Sequence, residues 1–166
     1  MALGFECPLW VPVSDGPFDL TSARAVDGNK PWSAGAGACA LATGLTESAW
    51  ILSRVRQCLA EGEAATTRAY LDWHEFEDSK AGLFVWEAFV TGEAKSKCQD
   101  KAKRHIDDAR KACDEFIERL PDPTTECVEE PTGPIHSLIG GVLLWAGWSD
   151  DPALLRTGCL VVRPDA

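Results

Sequence analysis

Residues 83–116 read LFVWEAFVTGEAKSKCQDKAKRHIDDARKACDEF, and this stretch decides the fold. Phe84 to Val90 is an apolar run rich in aromatic residues, and its length suits a strand buried on both faces. Gly92 turns the chain. From Lys97 to Leu120 the apolar positions are Cys98, Ala102, Ile106, Ala109, Cys113, Phe116 and Leu120. Their alternating four-and-three spacing predicts a long helix with one buried stripe. Glu87 is the one carboxylate inside the strand. His105 and Asp108 fall at the boundary of the helical stripe, neighbours one turn apart.

Working outward, Leu3 to Cys7 is short and apolar and is stopped by Pro8, which predicts a second central strand delivering Glu6 to its C-terminal end. Pro8, Pro12, Gly16 and Pro17 then predict an irregular loop that runs past Arg24 to Pro31-Trp32. So long a polar loop in a compact domain is either functional or a plain excursion. The Gly- and Ala-rich segment Ser33–Thr43 lacks the Gly-Lys-Ser/Thr ending of a phosphate loop. It predicts a helix capped by Ser33 and packed closely on the sheet. A further helix is expected over Thr46–Ala60 and ends at Gly62. In the mixed segment Thr66–Lys80, the residues His74, Glu75 and Glu77 lack a third ligand at metal spacing and read as a solvated turn. Pro121 and Pro123 end the long helix. An acidic, proline-bounded linker covers Thr124–Pro134. Leu138–Trp148 reads as a buried helix capped by Ser137, and Cys159–Val162 as a final strand.

At 166 residues the chain fits one domain over 1–166 with a sizeable core. Its net charge of −10 argues against a phosphate-backbone binder with a basic face. The cluster Lys95, Lys97, Lys101, Lys103 and Arg104 is interrupted by Asp100 and reads as a solvated helix face. Seven widely spaced cysteines contain no CxxC pair and several fall on apolar faces, so they predict reduced, buried thiols in a cytoplasmic protein rather than a zinc site. No apolar run is long enough to span a bilayer, so a membrane partner is not expected.

Glu6 and Glu87 each lie at or inside an apolar strand, where an ionised carboxylate needs a cation, a proton or a hydrogen-bonding partner. Converging with Asp108 and His105, they would suit Mg²⁺ or Mn²⁺, and such ions activate water in phosphodiester cleavage. The plainer alternative is that each Glu pairs with Arg24, Lys95 or Arg104.

Four motifs, Gly-Phe-Glu-Cys-Pro-Leu (4–9), Pro-Trp-Ser-Ala-Gly-Ala-Gly (31–37), Val-Trp-Glu-Ala-Phe-Val-Thr-Gly (85–92) and His-Ile-Asp-Asp-Ala (105–109), resemble an uncharacterised bacterial family of the ribonuclease H-like superfamily. The resemblance implies a reduced ribonuclease H-like α/β fold, a mixed sheet flanked by helices. It implies a divalent-metal-dependent hydrolase of phosphodiester or nucleotide substrates. Metal would be held by Glu6, Glu87 and Asp108, with Glu87 and His105 catalytic and Arg24 and Lys95 on the substrate. The superfamily's first carboxylate lies on a strand preceding those seen here, so a site without it could instead be a non-catalytic binding module. The absent strands would leave a sheet edge open to a homodimer or another chain. The partner that the resemblance implies is a nucleotide or nucleic acid, against which the acidity of the chain weighs.

Overall fold

All six residues of β4 (Leu83–Ala88) are buried, as its unbroken apolar run requires. In the computed structural model, which describes residues 1–59, 61–124, 128–129 and 133–164, this strand is the centre of a five-stranded sheet. On one side it pairs in parallel with β1 (Ala2–Phe5), from Ala2 opposite Phe84 to Phe5 opposite Glu87. On the other side β3 (Ala69–Tyr70) pairs with its start and β7 (Val161–Val162) with its end, both parallel. β5 (Val128–Glu129) closes the sheet antiparallel to β7. β1 is an edge strand among the described residues. A separate antiparallel pair joins β2 (Trp10–Pro12) to β6 (Ile135–Ser137). The helices are α1 (Gly35–Cys58), α2 (Glu61–Thr66), α3 (Trp73–Ser79), α4 (Lys101–Glu118) and α5 (Leu138–Trp145). The chain is thus α/β with a mixed sheet, and no helix among the described residues is long and apolar enough to cross a membrane.

Side chains alternate across a strand, and that alternation divides the core in two. Leu83 and Val85 pack with Leu52 of α1 and with Ile139 and Leu143 of α5. Phe84, Trp86 and Ala88 pack with Trp73 of α3 and with Ala112 and Phe116 of α4. The second face is an aromatic stack. The Trp86 and Phe116 rings lie parallel with centroids 4.8 Å apart, and Trp73 meets Phe84 edge-on at 5.1 Å. Gly4 on β1 is part of this arrangement, because a Cβ there would sit 2.5 Å from the Trp86 ring.

Several expectations are corrected. The two predicted helical segments over 33–60 are one helix, α1, whose N-cap is Ala34. The Ser33 hydroxyl instead donates to the Thr21 carbonyl. Thr46, read as a start signal, lies mid-helix and donates to the Ala42 carbonyl at 3.2 Å. Trp10–Pro12, expected in a loop, is a strand, as is Val128–Glu129 within the expected linker. Residues 125–127 and 130–132 of that linker, with Cys127, lie outside the described residues, as does Ala60. Within 66–80, α3 forms from Trp73, capped by the Asp72 carboxylate. The Ser137 cap on α5 is as expected, with the Gly140 N–H donating to Ser137 Oγ at 3.1 Å.

α4 is present but rotated relative to its apolar stripe. Asp108, Ala112 and Phe116 are buried, whereas Ile106, Ala109 and Cys113 are exposed. The Trp86–Phe116 stack and the anchoring of Asp108 described below set this rotation. Only Cys7 and Cys159 are buried among the described cysteines, while Cys39, Cys58 and Cys113 are exposed.

Candidate functional site

Alternation along β4 puts Glu87 on the α1/α5 side of the sheet, opposite to Trp86. There it meets Arg24, which the long loop after β2 carries into the core beside a 3-10 turn (Ala25–Asp27). Both side chains are fully shielded from water. Arg24 Nη1 donates to Glu87 Oε2 and Nη2 to Oε1, each at 2.7 Å, and the Leu9 N–H adds a third bond to Oε2 at 2.9 Å. The same guanidinium donates through Nε and Nη2 to Asp27 Oδ1 at 3.0 and 2.8 Å and lies over the Trp10 ring. Asp27 Oδ2 accepts the N–H groups of Arg24 and Trp32 at 3.0 and 3.2 Å. This network ties the loop to the central strand. Burial pushes the Glu87 carboxyl up, against the pull of Arg24 and the Leu9 N–H in the other direction. Burial, with Glu87 nearby, pushes the Cys7 thiol up to about 12, and Cys159 is raised for the same reasons.

Asp108 is buried on the opposite face, beneath α4. Its Oδ1 accepts the Ser96 N–H at 2.7 Å. Ser96 Oγ donates to Asp107 at 3.1 Å, and Lys111 Nζ donates to the Ala94 carbonyl at 2.6 Å. Asp108 therefore clamps the segment after β4 onto its helix. Glu6 lies just past the end of β1 and pairs with Lys95 at 3.0 Å.

Of the predicted cage of Glu6, Glu87 and Asp108, the structure does not bring Glu87 together with Asp108. The sheet separates Glu87 from Asp108, and Arg24 and the Leu9 N–H already engage both Glu87 oxygens. Glu6 and Asp108 do line one cavity, of about 450 Å³. No group of three or more His, Cys, Asp or Glu side chains suited to a metal ion occurs among the described residues. His105 is exposed on α4 and lines neither cavity that holds Glu6. Arg24, expected on substrate, is sealed in the core. Of the predicted substrate cations only Lys95 reaches a cleft.

That cleft is a second cavity, of about 300 Å³, at the C-terminal ends of β1 and β4. In parallel sheets this rim is where ligands are usually held. Its polar lining is Glu6, Asp27, Lys30, Trp32, Thr91 and Lys95, and small residues from the first turns of α1 (Ala36, Gly37, Ala40) complete it. Gly37 allows the close approach, since a Cβ there would sit 2.6 Å from the Pro31 carbonyl oxygen. Lys30 Nζ donates to the neutral Thr91 hydroxyl at 2.8 Å and has no carboxylate in ion-pair range among the described residues. No family model, no curated protein and no solved structure matches the chain.

Sequence reasoning missed Lys30, Trp32 and Thr91. The signal was present in part, because Lys30 and Pro31-Trp32 close the long polar loop and Thr91 ends the Glu87 strand motif. The Trp32 indole N–H is taken by the Ser22 carbonyl at 2.9 Å. Chemically, the cleft presents two ammonium groups, a hydroxyl and the positive end of a long helix. These are means of holding an anion. A carboxylate free to act as a base is not among them, since Glu6 faces Lys95 and Asp27 faces Arg24.

Proposed function

We propose that the protein binds a small phosphate ester, a nucleotide among the candidates, in the cleft at the ends of β1 and β4, as a binding module without its own hydrolytic chemistry. The observation that carries this reading is Lys30, a cation at the cleft whose Nζ has the Thr91 hydroxyl as its one partner among the described residues. Lys95 would leave Glu6 for a phosphate, a doubly charged acceptor. The start of α1 would add its dipole, and Trp32 lines the same cleft. The test is calorimetric titration of adenosine monophosphate, in the presence of EDTA, into wild type and Lys30→Ala. A saturable heat that Lys30→Ala weakens at least tenfold, and that salt screens, is expected. Equal binding by both proteins, or none by either, would overturn the reading.

A second reading is favoured by one observation, that Glu6 and Asp108 line a common cavity. On the ribonuclease H-like resemblance these two would hold Mg²⁺ or Mn²⁺, which commonly takes one or two carboxylates together with substrate phosphate. The ion would supply Lewis-acid activation of a phosphodiester. In this version Glu87 holds the loop through Arg24 and takes no part in the chemistry. Mn²⁺ heats in wild type that vanish in Asp108→Asn, with turnover of bis(p-nitrophenyl) phosphate, would establish it. Turnover unchanged in Asp108→Asn would exclude it. The free edge of β1 favours a homodimer as the assembly, and light scattering that shows a monomer at assay concentration removes it.

A further inference from the structure

The two cavities are neighbours. Glu6, Ala88 and Val90 line both, and the Lys95–Glu6 ion pair stands at their junction. The larger one runs along α4 past Trp86, Ala109, Ala112, Cys113, Phe116 and Ile117. Its lining is apolar apart from Glu6 and Asp108, and Asp108 is 2% exposed and turned toward the Ser96 N–H. The groove exists because of Gly4. The Trp86 ring occupies the place of a side chain there, so β1 raises nothing bulky between itself and α4. Ile117 is 56% exposed beside it, an apolar surface left in water. The junction is weakly held. Lys95 and Glu6 are 50% and 36% exposed, and an ion pair so wetted contributes little.

The geometry points to a single bipartite site, in which the phosphate sits at Lys30 and Lys95 and an alkyl or aryl tail of the same ligand runs past Glu6 into the groove between β1 and α4. The ligand class is therefore an amphiphilic phosphate monoester. This rests on the phosphate reading of the cleft. A phosphate at Lys95 competes with Glu6 for the ammonium, so head-group binding itself loosens the junction through which the tail must pass. The tail then covers Ile117, Cys113 and Ala109 and removes their apolar surface from water, which is the driving force for tail binding.

The test is calorimetry in EDTA with inorganic phosphate and with methyl, butyl and octyl phosphate, each below its micellar concentration, on the intact protein. Affinity should rise with chain length, by up to about fourfold per methylene buried. Ala109→Trp should flatten that rise and leave inorganic phosphate binding unchanged. Ala109 is exposed, so the bulk projects into the groove rather than the core. Cys113→Trp, also at an exposed position, is the second variant, and unchanged melting temperatures show that both remain folded. Equal affinity for methyl and octyl phosphate, with Lys30-dependent phosphate binding intact, overturns the tail site and leaves the phosphate reading standing. Octyl phosphate binding that is indifferent to both Lys30→Ala and Ala109→Trp is detergent-like adsorption and overturns it as well. No binding of any member overturns both readings.

Discussion

Replacing Arg24 by Met leaves Glu87 buried without its guanidinium. Glu87 is 0% exposed and would keep one donor, the Leu9 N–H. Asp27 would keep the Arg24 and Trp32 N–H donors on Oδ2 but lose both guanidinium donors on Oδ1, so Glu87 and Asp27 are both left short of a cation. Removing one partner of a buried ion pair destabilises by about 3–5 kcal/mol. That is a large fraction of the roughly 5–15 kcal/mol that holds a domain folded. At roughly 2–4 °C per kcal/mol for a domain of this size, the melting temperature should fall by about 6–20 °C. The effect has a direction in pH. Without Arg24 the folded state must protonate Glu87, so its folded pKa lies well above the unfolded value near 4.3. The folded state then binds more protons than the unfolded one, and stability falls as pH rises through that interval. The loss relative to wild type should therefore be smaller at pH 5 than at pH 8. The assay is urea unfolding followed by tryptophan fluorescence at both pH values. Arg24→Met/Glu87→Leu, which removes the Glu87 charge as well and leaves Asp27 the one carboxylate of the network, should recover part of the loss, because the penalty belongs to carboxylates left without the guanidinium. An Arg24→Met protein within about 1 kcal/mol of wild type, a larger loss at pH 5, or a double variant worse than the single would each refute the reasoning.

Gly4→Leu should force the Trp86 ring off Phe116 and destabilise by about 1–3 kcal/mol through overpacking, read as a lower urea midpoint and an altered near-UV circular dichroism spectrum. Ser137→Ala removes the N-cap acceptor for the Gly140 N–H and should reduce stability by about 1 kcal/mol, measured by thermal melting. With a thiol reagent at pH 8, Cys39, Cys58 and Cys113 should react quickly in the native protein. Cys7, buried and with its thiol pushed up to about 12, should react only on unfolding. Fast native modification of Cys7, located by mass spectrometry, would contradict the burial of its strand end.

Part of this molecule is legible in the sequence for a physical reason. β4 must be buried on both faces because six consecutive residues offer no polar side to water apart from Glu87, and a buried Glu87 demands a partner. Sequence reasoning named Arg24 as one such partner without being able to choose it over metal. α5 is legible because Ser137 precedes an unbroken apolar run, and no other cap competes. α1 was divided because Thr46 looks like a start signal, yet its hydroxyl can bond back to the preceding turn and leave the helix intact. A side chain's local preference does not say which of its two bonding modes the tertiary structure will use.

That Glu87 and Asp108 do not meet is a matter of parity. Adjacent residues on a strand face opposite sides of a sheet, so Trp86 and Glu87 cannot serve the same layer. Once Trp86 stacks on Phe116, α4 belongs to the Trp86 side and Asp108 goes with it. Glu87 must then look toward the loop on the other side, whatever its spacing from Asp108 along the chain. The apolar stripe of α4 carried the same hidden ambiguity. Of its residues only Phe116 is buried, and the other two buried positions, Asp108 and Ala112, lie beside the stripe rather than in it, so the pattern alone does not fix the rotation. The packing of one aromatic residue, Phe116, against one tryptophan settles both questions together. It buries the Ala112 side of α4 and leaves Ile106, Ala109 and Cys113 exposed. Lys30 and Lys95 stand at the rim where β1 and β4 end, in a cleft that neither Glu87 nor Asp108 lines.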